Sequence, residues 1–267
     1  MRRARGMMRR WALLPAMLFG AVGCAWPFDG EPRCTRGPEA GPREPLRILF
    51  VGNSLTYTNG LPFVLRALAD SAGELPPEVQ EVAKPDYSLE DHWNDGDAVR
   101  TIRRGCFDVV VLQQGPSALP ESRELLLEYA ARFDREIRRR DGRPALFSAW
   151  PSRARRADFA AAIASYRLAA EEVDGVLLPV AAAWRAAFEA DAAAPLYQAD
   201  GLHPTEEGTY LAALVIFARL YGREPEGLPA RLHYRDPAWR QERTIDIPPP
   251  LAATLQAAAA DALAAEP

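Results

Sequence analysis

Five apolar runs of strand length, each followed by a stretch with helical spacing, leave this chain few folds to adopt. The runs are residues 48–51, 79–82, 107–113, 145–149 and 176–180. In Val109-Val110-Val111-Leu112 the apolar residues are consecutive rather than alternating, as a parallel sheet covered on both faces requires. The stretches between carry one apolar face each. Leu61, Val64, Leu65 and Leu68 mark it in 61–72, and Leu125, Leu126, Tyr129, Phe133 and Ile137 mark it in 121–140. The pattern continues over 157–173, 181–191 and 205–221, and an alanine-rich helix is expected over 251–265 behind Pro248-Pro249-Pro250. Five such units predict one doubly wound α/β domain rather than a barrel, which usually needs eight. With 48% hydrophobic residues in 267, the chain has enough apolar surface for that core.

The amino terminus reads differently. Arg2, Arg3, Arg5, Arg9 and Arg10 precede an apolar run over 11–22, too short to span a membrane and of the right length for a secretory signal. The run ends Ala21-Val22-Gly23-Cys24, which resembles the bacterial lipobox, so residues 1–23 are expected to be a lipoprotein signal and Cys24 the lipidated residue. The alternative is an ordinary cleaved signal with an incidental cysteine. Either way the protein is expected to be exported to the cell envelope, and in the first case held to the membrane by its lipid. Residues 24–45 hold Pro27, Pro32, Pro38, Pro42 and Pro45 with Gly30, Gly37 and Gly41, a composition that buries no core and predicts a flexible tether to a domain over 46–267. Cys34 and Cys106 remain for pairing in an oxidising compartment, which sequence alone leaves open. No metal-ligand spacing is present. A net charge of −4 gives no basis for a nucleic-acid partner.

Chemistry is concentrated at two places. The first strand stops at Gly52-Asn53-Ser54, and a residue at the carboxyl end of such a strand sits where open α/β sheets hold ligands. A serine nucleophile needs a base, and the chain has three histidines, His92, His203 and His233. His203 lies in Asp200-Gly201-Leu202-His203-Pro204, after the fifth strand and before a long helix, on the same sheet edge as Ser54. Asp200 is placed to accept the imidazole Nδ1 hydrogen and fix its tautomer. Turn formation is the plain alternative for both residues.

Gly52-Asn53-Ser54-Leu55-Thr56 resembles the first sequence block of the SGNH, or GDSL-like, hydrolase superfamily, and Asp200 to Pro204 resembles its fifth. The resemblance implies a flavodoxin-like three-layer α/β/α sandwich with a five-stranded, mostly parallel sheet, and esterase, lipase or acetylesterase activity without a cofactor. It makes Ser54 the nucleophile, His203 the base and Asp200 its orienter. In that family a glycine N–H and an asparagine amide assist the Ser54 N–H in binding the oxyanion. Here Ser88 stands near the glycine's place, and the third strand ends Gln113-Gln114 with no asparagine, a departure that resembles a glutamine-bearing branch. The expected oxyanion donors are therefore Ser54, Ser88, and Gln113 or Gln114, with the glutamines merely ending the strand as the alternative. Asn53, His92 and Trp150 are candidate pocket residues; for His92 and Trp150, core packing is the competing reading.

These residues predict a serine esterase that cleaves O-acetyl or other short acyl esters, on a small molecule or a polysaccharide. A surface glycan-binding protein that keeps the fold without catalysis is the alternative. A metal-dependent phosphoesterase is disfavoured, because three histidines without clustered carboxylates do not assemble a two-metal site.

Overall fold

In a computed structural model, the described residues are Cys34, 44–237 and 240–266. The expected signal, the lipidation at Cys24 and all of the tether but Cys34, Glu44 and Pro45 lie outside them.

Five strands, β1 (Arg47–Gly52), β2 (Glu78–Ala83), β3 (Val109–Leu112), β4 (Arg143–Phe147) and β5 (Val176–Leu178), form one sheet in the order β2-β1-β3-β4-β5. Every neighbouring pair is parallel. Alternation along each strand then sorts the apolar residues into two cores. Ile48, Phe50, Val109, Val111, Ala145 and Phe147 face one side of the sheet, while Leu49, Val51, Val110, Leu112 and Leu146 face the other. Unbroken apolar runs thus serve both faces.

The first side is covered by α2 (Leu61–Ser71), α7 (Val180–Ala190), α8 (Glu206–Tyr221) and α9 (Pro249–Ala265). The second is covered by α3 (Leu89–Asp95), α4 (Asp97–Arg104), α5 (Pro120–Arg138) and the inner face of α6 (Phe159–Glu172). The result is a three-layer α/β/α sandwich. Its edge strand β2 shows exposed Glu78 and Gln80, polar positions that discourage pairing with another chain.

The expected strand and helix runs all occur, with shifted ends. β4 starts at Arg143, ahead of the run expected from 145, because only β3 pairs there and β5 joins at Ala145. β5 stops at Leu178, since Pro179 has no N–H to continue the ladder and begins the turn into α7. Helices α3 and α4 are separated by Gly96 in the left-handed region at φ 81°. A hairpin was not foreseen: β6 (Arg231–Asp236) pairs antiparallel with β7 (Gln241–Asp246). Its alternation buries Leu232, Tyr234 and Asp236, and the Tyr234 hydroxyl donates to the Asn59 carbonyl at 2.7 Å, which docks it beside α2. His233, to which no role was given, faces outward and bonds Thr244 Oγ1. Cys34 and Cys106 are joined by a disulfide.

Candidate active site

Strand β1 delivers the chain into a tight turn followed at once by a short helix, α1 (Ser54–Tyr57). At Gly52 a Cβ would lie 2.3 Å from Thr56 Oγ1 and 2.5 Å from Gln113 Oε1, so only glycine fits. Asn53 caps the helix through Oδ1, which accepts the Leu55 N–H at 3.1 Å. Ser54 is then the first helical residue, 8% exposed, and it lines a cavity of about 500 Å³.

Gln113 builds this turn instead of serving the oxyanion. Its Oε1 accepts the Asn53 N–H at 2.9 Å and the Thr56 hydroxyl at 2.7 Å, and its Nε2 donates to Asn53 Oδ1 at 3.0 Å and to the Gln114 carbonyl at 2.5 Å. Both amide hydrogens are committed in a fully buried side chain. Gln114 is committed as well: Oε1 accepts the Leu89 N–H, and Nε2 donates to Ser117 Oγ at 2.7 Å and to the Ser122 carbonyl at 3.3 Å. The expectation for Ser88 fails for a different reason. Its N–H and hydroxyl both donate to Asp91 Oδ2, at 2.8 and 2.6 Å, and its Oγ accepts the Asp91 N–H, which is a capping box at the start of α3. Those bonds from Ser88 hold the Asp91 carboxyl below its ordinary range. Of the expected donors, the Ser54 N–H alone has no partner among the described residues, and the Gly115 N–H at the same cavity has none either.

His92 and Trp150 do not line the cavity; both are fully buried. His92 sits behind the turn with Nε2 2.7 Å from the Gly52 carbonyl. Burial pushes its pKa down, and because a carbonyl can only accept, Nε2–H is the donor there. Trp150 stacks on Trp184 at 3.8 Å between centroids and donates from Nε1 to the Leu202 carbonyl at 3.0 Å. Each positions the site from behind, a role that neither composition nor spacing signals. Asn53, Ser88 and Gln114 do line the cavity.

The loop ahead of α8 carries the second group. Asp200 Oδ1 accepts the backbone N–H groups of Leu202 and His203 at 2.9 and 3.0 Å, and Oδ2 accepts from His203 Nδ1 at 2.6 Å. The bond from His203, aided by the two backbone donors, lowers the Asp200 pKa to about 2. Nδ1–H is thereby fixed as the donor and Nε2 left as the basic nitrogen. Around this pair the loop is over-determined. Gln198 N–H donates to the His203 carbonyl, and Arg153 donates from its backbone to Gly201 and from its guanidinium to Gln198. Gly201 supplies the left-handed turn at φ 72°. Asn59, five residues beyond Ser54, donates to the Pro204 carbonyl and to Thr209 Oγ1, both at 3.0 Å, tying the two halves together.

Ser54 Oγ and His203 share no hydrogen bond among the described residues, and His203 is 31% exposed in its side chain. Leu202 lines the cavity with Ser54, whereas Asp200 and His203 do not.

No protein-family model and no curated protein matches the chain. Solved structures do. A protein classed as an SGNH hydrolase from Slackia heliotrinireducens is 28% identical, covering 66% of this chain and 100% of its own, with a TM-score of 0.57. A DUF4886 family protein from Bacteroides uniformis is 18% identical over 83% of this chain and 95% of its own, at 0.60. A variant of an acetyl-xylooligosaccharide esterase from Geobacillus is 18% identical over 71% and 99%, at 0.51.

Proposed function

Because this chain belongs to the SGNH hydrolase superfamily and its neighbours are ester-hydrolysing enzymes, we propose that it is a serine hydrolase of carboxylic esters working through Ser54, His203 and Asp200. The observation that carries the reading is the 2.6 Å bond between His203 Nδ1 and Asp200, on a loop anchored to the segment that follows Ser54.

In this reading His203 Nε2 takes the Ser54 proton as Oγ attacks the acyl carbonyl, and Asp200 stabilises the imidazolium that forms. The tetrahedral oxyanion accepts from the Ser54 N–H, with the free Gly115 N–H as second donor. His203 then protonates the leaving alcohol, and water repeats the cycle on the acyl-enzyme. The movement required before attack is a closing of the Ser54 to His203 gap on substrate binding, in keeping with catalytic bonds that are loose in empty sites.

The substrate is an acyl ester, on carbohydrate or on a smaller alcohol; the acetyl-xylooligosaccharide esterase among the neighbours supports this at the level of fold. Export with a lipid anchor at Cys24 remains part of the reading. It draws support from the Cys34–Cys106 disulfide, a bond that persists in oxidising compartments.

The test is labelling of protein truncated before the tether with a fluorophosphonate, comparing wild type, Ser54→Ala and His203→Ala. Labelling of the wild type alone is expected. A folded wild type that does not label overturns the catalytic reading and favours glycan binding.

A further inference from the structure

Resting on the serine-hydrolase reading, the geometry points to an acyl chain well beyond acetyl as the group this site accepts, held in the cavity over the α3 and α5 side of the sheet. The cavity of about 500 Å³ has room for far more than an acetyl group and lies in the ordinary range for small-molecule sites of about 300–1,000 Å³. Pro116, Ala118, Leu119 and Leu125 give its lining an apolar part. Leu119 is 49% exposed at the cavity, one of three large hydrophobic side chains so exposed among the described residues. A half-exposed leucine beside an active serine has a use if a substrate chain covers it.

The wall is built rather than incidental. Ser117 lies in the left-handed region at φ 55°, uncommon for a residue with a Cβ, and bends the chain between Pro116 and Leu119. Three bonds hold it there: Gln114 Nε2 donates to its Oγ, its Oγ donates to the Gly115 carbonyl, and Ser165 Oγ donates to its carbonyl at 2.6 Å. This is the work of Gln114 that an oxyanion role would preclude.

The side of the ester that enters follows from the layers. The loop of Asp200 and His203 leads into α8, on the opposite side of the sheet from α3 and α5. The leaving alcohol takes its proton from His203 and so departs on that side, which leaves the acyl group pointing into the cavity. Part of the polar lining is engaged elsewhere: Arg155 pairs with Asp158 at 2.5 Å, and Ser88 bonds Asp91. Tyr87 is the one aromatic residue on the lining, too little for stacking along a sugar chain.

The experiment measures kcat/KM for p-nitrophenyl acetate, butyrate, hexanoate and octanoate, whose leaving group is constant. A rise of about tenfold or more from acetate to hexanoate is expected, since each fully buried methylene is worth about fourfold. Leu125→Trp, which fills the cavity, should cut the hexanoate-to-acetate ratio about tenfold; Leu119→Ser, at an exposed position, should cut it about threefold; Leu168→Ala, exposed on α6 away from the cavity, should leave it unchanged. If acetate is the best substrate, or if neither cavity variant moves the ratio, the inference is overturned while fluorophosphonate labelling keeps the serine-hydrolase reading intact. If nothing is hydrolysed and nothing labels, that underlying reading falls and takes the inference with it.

Discussion

Gln113 accepts two hydrogen bonds and donates two in a position with no access to water, and all four fix the turn that presents Ser54. Gln113→Leu leaves the Asn53 N–H and the Thr56 hydroxyl buried without an acceptor. Stability should fall by about 2–4 kcal/mol, read from urea denaturation, and fluorophosphonate labelling should slow with it. Asp200 is the other residue whose chemistry is set by its partners. Its folded pKa, near 2, is below the ordinary carboxylate value, so its contribution is present above about 4 and is lost only as pH falls toward 2. With 47% of its side chain exposed that contribution to folding is small, and its importance is to His203. Asp200→Asn should therefore lower kcat by up to about 10⁴ at neutral pH, through loss of the Nδ1–H tautomer, while the thermal midpoint at pH 7 changes little. Ser54→Ala and His203→Ala should each abolish labelling. The pairing of Asp200 with His203 was legible from their spacing, because three residues in a turn bring two side chains within reach whatever surrounds them. The duties of Gln113, Gln114 and Ser88 were not, because a polar residue at a strand end reads alike whether its hydrogens face a cavity or a neighbouring loop.

At the scale of elements, the short helices that frame the site depend on their caps. Ser88→Ala removes the hydroxyl that caps α3 and accepts from Asp91, and should cost about 1 kcal/mol, measured as a lower denaturation midpoint. Helix α8 has the same device at its start, where Thr205 Oγ1 accepts the Gly208 N–H and Glu206 and Glu207 occupy the first turn. The long helices and the inner strands were legible because their apolar residues recur at a single period over ten or more positions or run unbroken. Helices α3 and α4 are short, and Gly96 interrupts them. The β6–β7 hairpin carries the alternation Leu232, Tyr234 that announces a strand, yet its burial depends on α2, to which the local pattern gives no clue.

For the whole molecule, the longest covalent constraint is the disulfide from Cys34 to Cys106, 72 residues apart. Closing a loop of that length removes enough unfolded-state entropy to stabilise the fold by up to about 4 kcal/mol. Reduction, or Cys106→Ser, should lower the midpoint of thermal unfolding accordingly, and a reduced protein that unfolds at the same temperature would dismiss the bond as a stabiliser. The fold class and the pairing of Asp200 with His203 were legible in the sequence alone, since strand and helix periods and a three-residue spacing are local properties. Which polar atoms stay free at the sheet edge that carries Ser54, that Trp150 and His92 support it from behind, and that Pro116, Ala118, Leu119 and Leu125 line the cavity were decided by tertiary structure. Those outcomes depend on which hydrogen-bond partners and side chains arrive from residues more than twenty positions away, and on nothing that a window of sequence contains.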